Sequence, residues 1–313
     1  MTDVNQGLAQ IFVTQYKTML ELKLQQMGSL LRGKVDEGYH AGAKVASPLN
    51  LLTAVQMKAA GARFAPKVAT PNDYQRRWVT PTDMTMEQYV DSFDQLKTPI
   101  DPKSKLIEGA SMAVGRAFDD IIIPAFNGTA NIGDGNQSAL STETFDTTNF
   151  LVLDTFGAGA TSVGLTVAKL NEARRILEHY HNTQEIERGD LYLAIGSTQH
   201  ADLRNQALVT SSEFNRNGGV LNDGKVTAYM GFKIIVTERL PYASSIRNCF
   251  AWVKSGMYLG IWQDLKTRVF EDFTKEGNPY NISTIVSMGA TRTQAGKVIQ
   301  INCADSVTSD ITN

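Results

Sequence analysis

The chain is poor in the residues that most chemistry needs. It has two cysteines and four histidines among 313 residues. Cys249 and Cys303 are too few and too far apart for a disulfide framework, and they read as buried thiols of a chain folded in a reducing cytosol. No run of about 18 apolar residues occurs, so no segment reads as a membrane-spanning helix. A signal-peptide pattern is also missing: Met1 to Gly7 is polar, and the apolar residues after it are interspersed with Gln, Thr and Lys. The formal charge is −2. That lacks the basic excess that neutralises phosphates, so tight nucleic-acid binding is not expected; lining a container whose cargo is DNA is compatible with it. No internal repeat and no low-complexity tract is present. The hydrophobic fraction of 42% is enough for one large core or two modest ones.

Catalytic constellations are equally scarce. His179 and His181 flank Tyr180, but residues two apart on a helix do not share a face, and no Cys or Glu stands at zinc-site spacing. Phe150-Leu-Val-Leu-Asp154 leads to Gly157-Ala158-Gly159 and then to a helix, as in a dinucleotide-binding unit. Here Gly164 comes five residues after Gly159 instead of three, and the helix starts near Thr166, too late to face a pyrophosphate. Gly128 to Gly135 lacks the lysine and hydroxyl residue of a phosphate loop. No G-x-S-x-G elbow occurs. Asp119 and Asp120 diverge by about 100° around a helix and read as a solvated or salt-bridged helix end. These residues give no catalytic, metal or cofactor assignment.

What is present is a pattern of elements. Leu8, Phe12, Tyr16, Leu20, Leu24, Met27 and Leu31 form one apolar stripe, which predicts an amphipathic helix over residues 3–31. Six of the nine prolines fall in residues 33–102. Each fixes φ and removes a donor, so this stretch reads as an extended excursion with strand pairs, with one short helix over Leu49–Ala60. A helix follows Asp101-Pro102, an N-cap and first-turn pair. Its stripe is Ile107, Ala110, Val114, Ala117 or Phe118, and Ile121, and Pro124 closes it. Residues 127–149 read as a surface loop. From Phe150 the pattern is mixed α/β: a strand over Phe150–Asp154, a helix over Thr166–Tyr180, a buried strand over Leu191–Ile195, a helix over Thr198–Gln206, and strands over Phe232–Thr237, Phe250–Val253 and Tyr258–Trp262. The stretch from Thr267 to Cys303 is β-rich, with Val269, Ile282, Ile285, Val286, Ile299 and Ile301 as core positions.

The near-neutral total hides a segregation of charge. Residues 17–77 hold ten bases against four acids, and residues 78–120 hold eight acids against four bases. Such neighbours pair within one chain or between copies. Arg63, Lys67, Arg76 and Arg77 on the basic side, and Asp83, Glu87, Asp91, Asp94 and Glu108 on the acidic side, are the candidate intersubunit contacts. They would set register more than affinity. On this reading, reversing Arg76 and Arg77 to Glu impairs assembly and leaves the subunit folded.

The order of these parts resembles the tailed-bacteriophage major capsid proteins of the Hong Kong 97 fold. Gln88-Tyr-Val-Asp91 through Asp101-Pro102 to Gly115-Arg-Ala-Phe-Asp119-Asp-Ile-Ile is similar to that family's spine helix and its approach. Leu165-Thr-Val-Ala-Lys-Leu-Asn-Glu-Ala-Arg174 and Asp190-Leu-Tyr-Leu-Ala-Ile195 resemble the helix and strand of its axial domain. Val220-Leu-Asn-Asp-Gly224 through Gly231-Phe-Lys-Ile-Ile235 to Leu240-Pro241, and Gly289-Ala-Thr-Arg292 leading to Val298-Ile-Gln-Ile301, complete the likeness. The resemblance implies an α+β chain with an N-terminal arm (1–32), an extended loop (33–98), a spine-helix peripheral domain (99–128 and 263–313) and a mixed α/β axial domain (129–262). It implies a structural protein of the virion capsid, assembled in the host cytoplasm. It further implies self-assembly into the hexamers and pentamers of an icosahedral shell around double-stranded DNA, with a portal as partner. The short arm before residue 33 leaves little room for a built-in scaffold, so a separate scaffolding protein is expected. The alternative from another class is a nucleotide-dependent cytosolic enzyme with a degenerate dinucleotide-binding loop.

Overall fold

A computed structural model describes residues 25–42, 46–52, 57, 74–90, 103–133, 141–180, 183–206, 221–222 and 225–305. In chain order its strands are β1 (Asp36–Tyr39), β2 (Ala46–Leu52), β3 (Tyr74–Val79), β4 (Thr82–Val90), β5 (Ala130–Gly133), β6 (Ser141–Glu143), β7 (Leu151–Val152), β8 (Leu191–Ile195), β9 (Leu221–Asn222), β10 (Lys225–Val226), β11 (Ala228–Tyr229), β12 (Phe232–Val236), β13 (Tyr242–Ala243), β14 (Ile246–Val253), β15 (Met257–Glu271), β16 (Tyr280–Arg292) and β17 (Val298–Ala304). The helices are α1 (Lys103–Asn127), α2 (Val167–His179), α3 (Thr183–Glu187) and α4 (Ser197–Asn205).

Among the described residues, three larger sheets and a two-stranded β9–β10 sheet organise these elements. The largest has the order β11-β12-β8-β14-β17-β7, with β13 beside β14. Its middle is buried on both faces, so β8 reads Leu-Tyr-Leu-Ala-Ile with no alternation, and every one of those residues is buried. The second sheet, β1-β15-β16-β4, is built on the long β15–β16 hairpin. The third, β2-β3-β5-β6, takes the strand pair of the proline-rich stretch and adds two short strands. That stretch therefore divides: β1 and β4 join the hairpin sheet, and β2 with β3 forms the excursion.

Helix α1 joins the two larger sheets. Ala110, Val114, Phe118, Ile122 and Phe126 are buried along it at four-residue steps. The stripe is thus rotated from the expected one: Ile107 is exposed and Ile122 replaces Ile121. Pro124 does not close the helix, which runs on to Asn127. Two contacts offset the bond that the proline removes. Phe126 stacks on Phe250 at 4.9 Å and tilts against Trp252 at 4.7 Å. The buried Arg292 then donates through Nη1 to the carbonyls of Phe126 (2.8 Å) and Gly128 (3.0 Å), placing positive charge at the negative helix end. Burial pushes this guanidinium down to about 10, against an upward pull from Glu143.

Other expectations fail for identifiable reasons. Residues 25–31 are not helical: Gly28 takes φ 78° and packs its backbone on Gly115, where a Cβ would come within 2.4 Å of Gly28 Cα. The expected helix start at Asp101-Pro102 and the first 24 residues lie outside the described residues. Ala46–Leu52 is strand, so the short helix expected from Leu49 is not formed over 49–52, and most of its remainder is outside the described residues. The expected loop over 127–149 contains β5 and β6, which extend the third sheet by pairing β5 with β3. The strand expected over Phe150–Asp154 shrinks to Leu151–Val152. In the hairpin sheet Ile282 and Val286 are buried but Ile285 is 40% exposed, because alternate residues of a strand point to opposite faces. Val269, 43% exposed, lies on β15 beyond its two register shifts, where the buried pattern of Met257, Leu259 and Ile261 has ended.

The contact between α4 and β10 is pH-sensitive. His200 on α4 accepts a hydrogen bond from the Val226 N–H at 3.2 Å, which requires a neutral ring nitrogen. Burial holds its pKa below the ordinary 6.5, helped by the charges of Arg204 and Lys225. The folded chain therefore binds fewer protons than the unfolded chain below pH 6.5, and stability falls as pH drops through that window. A His200→Gln subunit should lose less stability than the wild type between pH 7 and pH 5, as read by urea denaturation at both values. Equal losses would remove His200 from the account.

Candidate assembly interface

The charged residues singled out by the sequence divide sharply by position. β3 is flanked by β2 and β5, with Arg76 opposite Asn50 and Gly133, and Arg77 opposite Leu49 and Ile132. Successive residues of a strand face opposite ways. Arg76 is exposed, whereas Arg77 is only 5% exposed. Arg77 Nε donates to the Thr293 carbonyl at 2.7 Å, and its Nη1 meets Glu143 Oε2 at 2.6 Å. Arg77 is thus a structural residue tying β3 to β6 and to the end of β16. The expectation that it contacts another subunit is corrected, and so is the design of a double reversal that leaves the subunit folded.

On the acidic side, β4 forms the outer edge of the hairpin sheet among the described residues, and its exposure alternates. Thr85, Glu87 and Tyr89 are exposed, while Met84 and Met86 turn toward α1. Asp83 is exposed and accepts a hydrogen bond from Ser287 Oγ. Glu108 is exposed on α1 and pairs with Lys105 one turn before it at 2.7 Å. Arg63, Lys67, Asp91 and Asp94 lie outside the described residues. The structure therefore leaves Arg76, Asp83, Glu87 and Glu108 facing outward, and spends Arg77 inside.

The expected solvated helix end at Asp119-Asp120 is half right. Asp120 accepts from one edge of the Arg239 guanidinium, Nε at 2.8 Å to Oδ1 and Nη2 to Oδ2. Asp119 is fully buried in the middle of α1. Its carboxylate accepts from Gln26 Nε2 (2.5 Å), Ser29 Oγ (2.5 Å) and the backbone N–H groups of Leu30 and Leu31 (both 3.1 Å). Four donors satisfy a carboxylate that has left water. Around it Arg116 Nη1 donates to Gln25 Oε1 at 2.7 Å, and Trp252 Nε1 donates to the Lys34 carbonyl at 3.0 Å. Arg32 lies 4.5 Å over the Phe118 ring and grips Asp264 with two nitrogens, which raises the guanidinium pKa and lowers that of the carboxylate. Residues 25–35 are thereby clasped to the helix, and the chain before Gln25 leaves from a fixed point. Sequence reading missed this clasp. Its signal was the Gly28-Ser29 pair breaking the apolar stripe.

The glycine loop after β7 has no phosphate cradle. Two N–H groups at the start of α2 are already bonded: Val167 to Gln206 Oε1 at 2.9 Å and Lys169 to Thr166 Oγ1 at 3.3 Å. Lys169 itself is buried and donates to the carbonyls of Val163 (2.7 Å) and Asn302 (3.0 Å), so no lysine points into the loop. Among the described residues no three His, Cys, Asp or Glu side chains gather as a metal site. Cys249 and Cys303 are free and buried.

Comparison with known proteins identifies what this arrangement is. The chain aligns over 97% of its length, and over 99% of the other chain, with the capsid of cyanophage Pam1, at 11% identity and a TM-score of 0.68. The capsid of Ralstonia phage GP4 aligns over 94% of this chain and 96% of its own, at 11% identity and a TM-score of 0.68. The capsid of cyanophage P-SCSP1u aligns over 98% and 99%, at 12% identity and a TM-score of 0.67. At such identities the likeness shows the fold, a mixed α/β capsid fold of the Hong Kong 97 kind. No curated protein sequence matches. The family model described as Phage capsid protein matches residues 8–305, nearly the whole chain. Its members are structural components of the virion rather than enzymes, and this chain belongs to the phage capsid protein family.

Proposed function

We propose that the chain self-assembles into hexamers and pentamers that close an icosahedral phage head around double-stranded DNA. A portal occupies one vertex, and a separate scaffolding protein guides assembly. The observation that carries this reading is the outward placement of opposite charges on two strands that follow one another in the chain but belong to different sheets. Arg76 faces out from β3, and Glu87 faces out from β4, the edge strand of its sheet among the described residues. We infer that they meet across a subunit boundary, together with Asp83, Glu108 and the flanking Arg63, Lys67, Asp91 and Asp94.

The same reading divides the chain into an arm (1–32), an extended loop (33–98), a peripheral domain (99–128 and 263–313) and an axial domain (129–262). The excursion proper narrows to the stretch between β1 and β4, since those two strands pair with β15 and β16. β17 crosses the division by pairing with β14 and β7.

Charge reversal tests the contact. At equal concentrations of folded subunit, Arg76→Glu should give at least tenfold fewer closed particles than the wild type by electron microscopy. Adding Glu87→Arg should restore particles. If Arg76→Glu assembles as well as the wild type, the contact is not part of assembly.

A further inference from the structure

The chain passes directly between the two larger sheets twice. β14 leads into β15 through a single 3-10 turn, Lys254–Gly256. β16 leads back into β17 through residues 293–297, which end in a second such turn over Ala295–Lys297. The two crossovers lie against each other. The Thr293 N–H donates to the Gly256 carbonyl at 2.9 Å, and Thr293 Oγ1 donates to the Ser255 carbonyl at 2.6 Å. Gly256 permits this approach, because a Cβ there would come within 2.7 Å of Lys297 Cβ and 2.9 Å of the Lys297 carbonyl oxygen. The Thr293 carbonyl is the one that Arg77 of β3 binds, so the third sheet is fastened to the same joint.

One polar cluster bridges both crossovers and α3. Lys297 Nζ donates to Ser255 Oγ at 2.7 Å and to Glu185 Oε1 at 2.9 Å. Ser255 Oγ donates to Glu185 Oε2 at 2.5 Å. Each of the three groups thus bonds the other two, and a satisfied polar network rigidifies what it joins. Burial pushes the Glu185 carboxyl up, but its bonds to Ser255 and Lys297 outweigh that and hold it below the ordinary range. α3 leads into β8 of the large sheet, and the Asp190 carbonyl between them accepts from the Lys254 N–H at 2.9 Å. The Lys297 and Glu185 side chains remain 18% and 29% exposed, so water solvates either one when its partner is removed. The cluster therefore adds little to stability and much to orientation. α1 also spans both sheets, but it packs there chiefly through apolar side chains, which slide by small amounts.

We propose that Glu185, Ser255 and Lys297 are positioning residues for assembly: they latch the two crossovers together and so fix the angle between the hairpin sheet and the large sheet. The role in assembly rests on the shell reading. Repeated contacts between identical subunits close only when each subunit contributes the correct rotation, and otherwise run on as open arrays. A subunit whose two sheets swing still folds and still associates. It does not hold the rotation that closure requires.

Spin labels on the full-length subunit test the latch without any shell. They are placed at Asn171→Cys on α2 and Lys266→Cys on β15, both exposed positions, while the two native thiols are buried. Double electron–electron resonance should show one narrow distance distribution in the otherwise wild-type chain. Glu185→Lys should broaden it at least twofold. Glu185→Lys/Lys297→Glu should restore the narrow width, because a hydroxyl between an ammonium and a carboxylate serves either order of charges. An unchanged width in Glu185→Lys overturns the latch, and so does a broadening that the swap does not reverse. Should Glu185→Lys fail to fold, Ser255→Ala removes only the bridging hydroxyl, and its width must still exceed the wild type's. Electron microscopy at equal concentrations of folded subunit then reads the role in assembly. Glu185→Lys should give at least fivefold fewer particles of wild-type diameter, and the swap should restore them. Equal yields and diameters overturn that role. A wild type that closes no particle counts against the shell reading itself, and the spin-label result still decides the latch.

Discussion

Asp119→Ala is expected to destabilise the isolated subunit by about 3–5 kcal/mol, among the largest losses available to one substitution. The reason is the accounting of donors around a carboxylate that sees no solvent. Removing it strands the N–H groups of Leu30 and Leu31 inside the protein, each at about 1–3 kcal/mol, and releases Gln26 and Ser29. Asp119→Asn should not rescue it fully, because one amide edge would present donors to donors. It is expected to cost about 2–3 kcal/mol. Urea denaturation followed by tryptophan fluorescence is a suitable readout, since Trp252 bonds the Lys34 carbonyl at the end of the clasp. If Asp119→Ala unfolds at the wild-type urea concentration, the clasp is not what holds residues 25–35.

Arg77→Glu is expected to cost about 3–5 kcal/mol and to yield largely insoluble protein. The substitution removes the donor to Thr293 and puts a second carboxylate beside Glu143, which is left without its guanidinium. Arg77 and Arg76 are neighbours in sequence with opposite fates. Arg77→Glu should fail at folding, measured by solubility and thermal melting, whereas Arg76→Glu should fail at assembly. An Arg77→Glu subunit that melts like the wild type would show that the pair with Glu143 contributes little.

The contrast between these two arginines shows what a sequence carries and what it does not. Strands and helices with strong local patterns were legible: the all-apolar β8, the helix α2 beginning near Thr166, and the break at Leu240-Pro241. Charge segregation was legible as a count, but the facing of each charge depends on strand register, and register is a tertiary property. Pro124 misled because local propensity was outweighed by packing of Phe126 and by Arg292 on the helix end. Asp119 misled because a carboxylate in a helix reads as solvated until the segment that supplies its donors, some ninety residues earlier, is placed against it. Phage identity came from the order of phrases along the chain, and neither charge nor periodicity carried it.

The central claim is that this chain builds a shell. Electron microscopy of the purified full-length protein, at rising concentration, tests it most directly. Closed particles or ring-shaped capsomers are predicted. A compact monomer or dimer at every concentration, binding NAD or ATP, would contradict it.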